Sequence, residues 1–155
     1  DLRLKLTPQG PKVIEYNARF GDPETQVVLP RLKTDFARIV KAVAEEKLAE
    51  VDIQWDEGAS ACVVMASGGY PGSYPKGLEI TGLDENGQAA GATVYHAGTK
   101  YEDGRFLTNG GRVLGVTALG ATLEEALDKA YAAVGTISFE GAMYRKDIGR
   151  THPKG

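Results

Sequence analysis

The sequence predicts an α+β fold in two parts: a hairpin and two helices over residues 1–57, then a small β-rich domain closed by one helix over residues 58–155. Three observations predict it. Leu2, Leu4 and Leu6 alternate with Arg3, Lys5 and Thr7, the period of two that marks a half-buried strand. Helix-start chemistry and helical apolar spacing follow between residues 22 and 48. From about Ala59 the texture changes to short apolar runs broken by glycine and proline, with one helical pattern near the end. With 155 residues, 42% hydrophobic and 25% charged, the chain can bury a core without disulfides or metals.

Taken in order, Thr7-Pro8-Gln9-Gly10-Pro11 makes a turn, and the β-formers of Val13-Ile14-Glu15-Tyr16-Asn17 can return beside the first strand as a hairpin. Asp22 is placed to cap a helix beginning at Pro23, where proline suits the first turn, and Glu24 favours the positive end of the helix dipole. Pro30 should bend or stop that helix. Phe36, Ile39, Val40, Val43 and Leu48 outline a second helix, with Lys41, Glu45 and Glu46 toward solvent. Trp55 anchors the transition to the β-rich half. There the apolar runs 61–65, 78–81, 93–97 and 112–118 read as strands, and Thr122-Leu123-Glu124-Glu125 fits a capping box opening a helix that ends near Gly135. Residues 137–148 read as a last strand or an extended tail.

Composition excludes several functions. Eighteen Lys and Arg against 21 Asp and Glu give a net charge of −3, so nucleic acid is not an expected partner. No apolar run is long enough to cross a bilayer, and no signal peptide is legible, so no membrane is expected. The single cysteine, Cys62, reads as a small core hydrophobe in a reducing, cytoplasmic setting, and with His96 and His152 it cannot complete a four-ligand zinc site. His96, inside an apolar run, reads as a hydrogen-bonded strand residue. No serine elbow, Gly-x-Gly-x-x-Gly or Walker lysine loop occurs.

If the second strand stays regular through Arg19, then Glu15, Asn17 and Arg19 share one face. A carboxylate and an amide oxygen are hard ligands of the kind Mg²⁺ combines with substrate phosphates, and a guanidinium suits a carboxylate or phosphate. The same pattern is equally the solvated face of an edge strand. Asp22 and Glu24 are explained by the helix start, although exposed amides there could also meet an anion. The loop 68–77 is a turn-rich connection carrying Lys76, and Lys100 and Arg112 each follow a glycine-containing turn where backbone amides could assist an anion.

The run 11–26, Pro-Lys-Val-Ile-Glu-Tyr-Asn-Ala-Arg-Phe-Gly-Asp-Pro-Glu-Thr-Gln, resembles the closing metal-binding strand of ATP-grasp ligases, and in particular the glycinamide ribonucleotide synthetase family. Gly68-Gly69-Tyr70-Pro71-Gly72, His96-Ala97-Gly98-Thr99-Lys100, Thr108-Asn109-Gly110-Gly111-Arg112-Val113-Leu114 and Tyr144-Arg145-Lys146-Asp147-Ile148-Gly149 continue the resemblance in the family's order. It implies that residues 1–57 are the end of an ATP-grasp domain and 58–155 the carboxy-terminal domain. It also implies a ligase of purine synthesis that joins phosphoribosylamine to glycine with ATP, through a glycyl phosphate.

On that resemblance Glu15 and Asn17 are the Mg²⁺ or Mn²⁺ ligands, and Arg19 serves the acyl phosphate or the substrate carboxylate. Asp22 and Glu24 stay candidate substrate-binding residues, with the structural role put first for Asp22, and Lys76, Lys100 and Arg112 are candidates for the ribose phosphate. Family members are more than twice as long, so upstream domains carrying the rest of the nucleotide cleft are expected partners, and the isolated chain should not turn over. Arg3-Leu4-Lys5 departs from the family's small and apolar residues, which puts residues 1–6 in doubt. Two other readings are a non-catalytic β-rich binding or interaction module, and a purine-pathway ATP-grasp enzyme with a different acyl acceptor.

Overall fold

A computed structural model describes residues 2–150; Asp1 and His152 lie outside the described residues. Strands β1 (Leu2–Thr7) and β2 (Gly10–Tyr16) pair antiparallel from Leu2↔Tyr16 to Thr7↔Gly10, with a bulge between Arg3 and Leu4. The turn is tighter than the sequence suggests, because Thr7 Oγ1 donates to the Gly10 carbonyl (2.8 Å) and accepts from the Gln9 amide (3.2 Å). β1 is not half-buried as its alternation predicts. Leu4 is 50% and Leu6 83% exposed, since no described element covers the hairpin. β2 also stops at Tyr16, so the condition for a regular strand through Arg19 is not met.

Helix α1 (Glu24–Val28) starts one residue later than predicted, at Glu24, and the following 3₁₀ turn Leu29–Arg31 contains Pro30, which has no amide to continue an α-helix. Asp22 does not cap α1; no side chain does. Helix α2 (Phe36–Ala44) is capped by Asp35, which accepts from the Arg38 amide at 3.1 Å. Its apolar stripe is present but open, with Val40 and Val43 exposed, and Leu48 falls instead in a separate 3₁₀ turn, Leu48–Glu50.

The β-rich half is built on a three-stranded antiparallel sheet, order β3-β7-β4, from β3 (Ala59–Ala66), β4 (Thr93–His96) and β7 (Arg112–Gly120). Register pairs Val63 and Val94 with Val116, and Met65 with Leu114. These residues, with Ala61 and Ala118, form the face that packs on helix α3 (Leu123–Thr136) through Ala126, Leu127, Ala130, Ala133 and Val134. The capping box forms: Thr122 Oγ1 accepts from the Glu125 amide (3.2 Å), while Glu125 Oε2 reaches back to the Ala121 amide (2.8 Å). The opposite face carries Ser60, Cys62 and Thr117 toward α1, which packs against β3 and β7.

Two elements differ from the sequence reading. β5 (Thr99–Glu102) and β6 (Arg105–Thr108) form an unpredicted hairpin around Asp103-Gly104, both with positive φ (50° and 75°), the geometry of a primed two-residue turn. Residues 78–81, expected as a strand, make only single bridges, Glu79↔Leu107 and Thr81↔Ser138. The tail is extended rather than a strand: it bridges Met143↔Ala66 and seats Ile137 and Phe139 in the core.

His96 is hydrogen-bonded, Nδ1 to Thr99 Oγ1 (3.0 Å) and Nε2 to the Gly87 carbonyl (2.9 Å). Cys62 is buried, and desolvation pushes its thiol up from the ordinary value. Trp55 bridges Leu32 where the helices give way to the sheet. No helix among the described residues is long and apolar enough to cross a membrane.

Candidate functional site

Where β2 ends, a cleft of about 690 Å³ opens, lined by Asn17, Ala18, Arg19, Phe20 and Gly21 and by Glu24, Thr25 and Val28 of α1. The walls combine apolar surface with a carboxamide, a guanidinium and a carboxylate, a mixture suited to a polar ligand held in a fixed orientation. Arg19 is anchored through Nη1, which donates to the Phe20 carbonyl at 2.9 Å. Thr25 closes the turn, its amide and hydroxyl both donating to the Gly21 carbonyl (3.0 and 2.5 Å).

Glu15 does not line this cleft but is tied to it. Its cross-strand partner is Arg3, whose Nε lies 3.3 Å from Glu15 Oε1 while Nη2 lies 3.1 Å from Glu24 Oε1. One guanidinium thus spans the two carboxylates. The sequence reading missed Arg3, although the hairpin register places residue 3 opposite residue 15 once the two-residue turn is known.

Asp22 and Arg112, both read as substrate-side residues, are partners of one another. Arg112 Nη2 lies 3.1 Å from Asp22 Oδ2, and Nη1 donates to the Asp22 carbonyl at 3.2 Å. The second carboxylate oxygen accepts from Gln26 Nε2 at 2.7 Å, an i,i+4 contact that the sequence reading also missed. This clasp fastens the turn before α1 to the start of β7. A double-mutant cycle of Asp22→Ala and Arg112→Ala, read by denaturant melts, should give a coupling of about 0.2–1 kcal/mol, as for an exposed pair. Strictly additive melts would show that the clasp is not formed in solution.

The two lysines stand apart from the cleft lining. Lys100 on β5 is ion-paired with Glu102, which holds the Glu102 carboxyl below its ordinary value. Lys76 is exposed in the loop before residue 78, near where the Gly77 amide donates to the Thr108 carbonyl.

Among the described residues no group of three or more His, Cys, Asp and Glu could hold a metal ion. Glu15 and Asn17 supply two hard oxygen donors, too few for a self-sufficient cage. The set fits Mg²⁺ or Mn²⁺ as such ions are bound through one or two side chains plus the phosphates of a nucleotide.

Comparison with known proteins places this geometry in context. The family described as "Phosphoribosylglycinamide synthetase, C domain" matches residues 60–151. The chain is 54% identical over 145 residues to the phosphoribosylamine–glycine ligase of Caldanaerobacter subterraneus, covering 94% of this chain and 34% of that protein. It is equally 54% identical, over 147 residues, to the trifunctional purine biosynthetic protein adenosine-3 of Gallus gallus, covering 94% of this chain and 15% of that protein. The crystal structure of phosphoribosylamine–glycine ligase from Thermotoga maritima aligns with a TM-score of 0.74 at 36% identity, over 95% of this chain and 36% of that one. The chain spans about a third of the length of the curated phosphoribosylamine–glycine ligases it matches, 34% of the Caldanaerobacter protein and 35% of a cyanobacterial one.

Proposed function

The chain belongs to the phosphoribosylglycinamide synthetase family, and from that premise we propose that it is part of an ATP-dependent ligase joining phosphoribosylamine to glycine in purine synthesis. The observation that carries the reading is the cleft at the end of β2, which Asn17, Arg19 and Glu24 all line and to which Glu15 is tied through Arg3. In this reading residues 1–57 complete an ATP-grasp domain and residues 58–155 form the carboxy-terminal domain. Upstream domains of the same enzyme supply the rest of the nucleotide cleft. The open apolar surface of the hairpin and α2, including Leu4, Ile14, Tyr16, Val40 and Val43, all at least half exposed, supports a covering partner on that side.

The chemistry follows from the side chains. Glu15 and Asn17 would hold a Mg²⁺ or Mn²⁺ ion, which when bound neutralises charge on the ATP phosphates. Arg19 binds and orients the glycine carboxylate in line with the γ-phosphorus. The carboxylate oxygen attacks there, the bond to the ADP oxygen breaks, and glycyl phosphate forms. The amine of phosphoribosylamine then attacks the acyl carbon, forming the amide and releasing phosphate. No side-chain nucleophile is needed. Lys76, which forms no ion pair among the described residues, contacts the ribose phosphate, while Lys100 and Arg112 reach it only by giving up Glu102 and Asp22.

The test is ADP release requiring both glycine and phosphoribosylamine, measured on this chain alone and mixed with its upstream part. Activity in the mixture only is the expected result. A mixture that binds ATP without amine-dependent turnover would leave a non-catalytic module as the function.

A further inference from the structure

Helix α1 brings Glu24, Thr25 and Val28 to the cleft at the end of β2, yet little in the helix itself fixes where it stands. None of its five residues is buried, and no side chain caps it. Its start is held by charge from two sides. Arg3 ties Glu24 to the hairpin and to Glu15, and Arg112 ties Asp22 to the start of β7.

The two anchors differ in what stands behind them. The hairpin that carries Arg3 is covered by no described element, and Leu4 and Leu6 beside it are half exposed or more. Arg112 stands on backbone packed too closely for side chains. A Cβ on Gly98 would lie 2.5 Å from the Gly110 Cα, and one on Gly111 would lie 2.1 Å from the Tyr70 ring. The Gly98 amide donates to the Arg112 carbonyl (2.9 Å), and the buried Ser67 donates to the Gly110 carbonyl through its hydroxyl and to the Gly111 carbonyl through its amide, both at 2.8 Å. From this base the guanidinium meets Asp22 twice, Nη2 lying 3.1 Å from the carboxylate Oδ2 and Nη1 donating to the carbonyl at 3.2 Å. A planar fork of this kind fixes the direction of the turn as well as its distance, which a point charge does not. Asp22 Oδ1 in turn accepts from Gln26 Nε2 (2.7 Å), so the clasp reaches into α1 itself. Neither Asp22 nor Arg112 lines the cleft, whereas Gly21 before Asp22 and Glu24 and Thr25 after it do.

We propose that Arg112 is a positioning residue for this cleft: acting through Asp22, it holds the first turn of α1 at a set distance from Asn17 and Arg19, and so tunes the binding of the amino acid whose carboxylate Arg19 orients. That the amino acid is glycine rests on the ligase reading, while the hold on α1 rests on the clasp alone.

Amide exchange of the 155-residue chain reads the hold directly. In Arg112→Ala the Thr25 amide, bonded to the Gly21 carbonyl at 3.0 Å, should exchange about two- to fivefold faster, the factor that an exposed ion pair can supply. Arg105→Ala, which breaks an exposed pair with Glu79 elsewhere, should leave that amide unchanged. In the enzyme assembled from this chain and its upstream part, Arg112→Ala should raise the KM for glycine about two- to fivefold without changing kcat or the KM for phosphoribosylamine. Asp22→Ala should do the same, and the double variant should go no further than Asp22→Ala alone. A rise in the phosphoribosylamine KM instead would make Arg112 a substrate contact and overturn the proposal, as would an unaltered Thr25 exchange or an unaltered glycine KM in Arg112→Ala. An assembled parent without amine-dependent turnover would overturn the ligase reading and the glycine half of the proposal with it, and the exchange comparison would still decide the hold on α1.

Discussion

Gly82→Ala is expected to lower the melting temperature of the chain by roughly 5–15 °C. Gly82 has φ +84°, where a side chain costs about 1–2 kcal/mol from backbone sterics alone. The larger cost is in what the methyl group meets. A Cβ there would lie 1.8 Å from the Thr136 carbonyl oxygen and 3.0 Å from the Ile137 Cα, backbone at the end of α3 that cannot swing aside. Relief requires α3 and the tail to part from residues 81–82. That breaks the paired Thr81 and Ser138 bonds (2.8 and 3.0 Å) and unseats Ile137 and Phe139, both 5% exposed, from the core. Overpacking of this kind adds about 1–3 kcal/mol. Gly91→Ala is the control, because Gly91 also has positive φ (+78°) but open space around its Cβ. It should cost only about 1 kcal/mol. Equal melting of the two variants would refute the steric argument.

The elements most legible in the sequence are those whose signals are local. The capping box at Thr122 and the apolar stripe of α3 specify that helix without reference to anything distant. The β3 and β7 strands are continuous apolar runs, and they occupy the buried centre of the sheet. β5 escaped because Lys100 and Glu102 make it polar and exposed, and β6 because it is only four residues long, although Asp103-Gly104 is the pair that a tight hairpin turn demands. Residues 78–81 failed in the opposite sense. Ile80 among them is buried in the core, yet their backbone finds only single bridges.

The site was half legible for a similar reason. Residue types suited to an ATP-grasp ligase are visible in the run 11–26, but their spatial grouping depends on where β2 ends and on partners far away in sequence. Asp22 shows the limit well. Helix-start grammar assigns it to a cap, while the fold uses its carboxylate for Arg112, 90 residues later, and for Gln26. The pairing of Glu15 and Glu24 through Arg3 likewise needs the hairpin register, which no periodicity in either strand reveals alone.

Glu15→Gln, in the enzyme assembled from this chain and its upstream part, should reduce ADP release by about 10²-fold or more and raise the Mg²⁺ or Mn²⁺ concentration needed for half-maximal rate. The substitution keeps size and one acceptor oxygen but removes the charge. Asn17 is neutral, so Glu15 is the only anionic donor of the proposed metal pair, and a neutral pair competes poorly with water for a divalent ion. The stability cost should be small by contrast. Glu15 and Arg3 are each 46% exposed in their side chains, and such a surface ion pair contributes about 0.2–1 kcal/mol. Arg3→Ala separates the two roles of Glu15, since it breaks the Glu15 pair together with the Glu24 pair and leaves the Glu15 carboxylate available to the metal. It should melt at or slightly below Glu15→Gln, because it loses the Glu24 pair as well, while keeping turnover within a few-fold of the parent. A Glu15→Gln enzyme with parental rate and parental metal dependence would remove Glu15 from the metal site, and a matching loss in Arg3→Ala would reassign its role to holding Glu24 at the cleft.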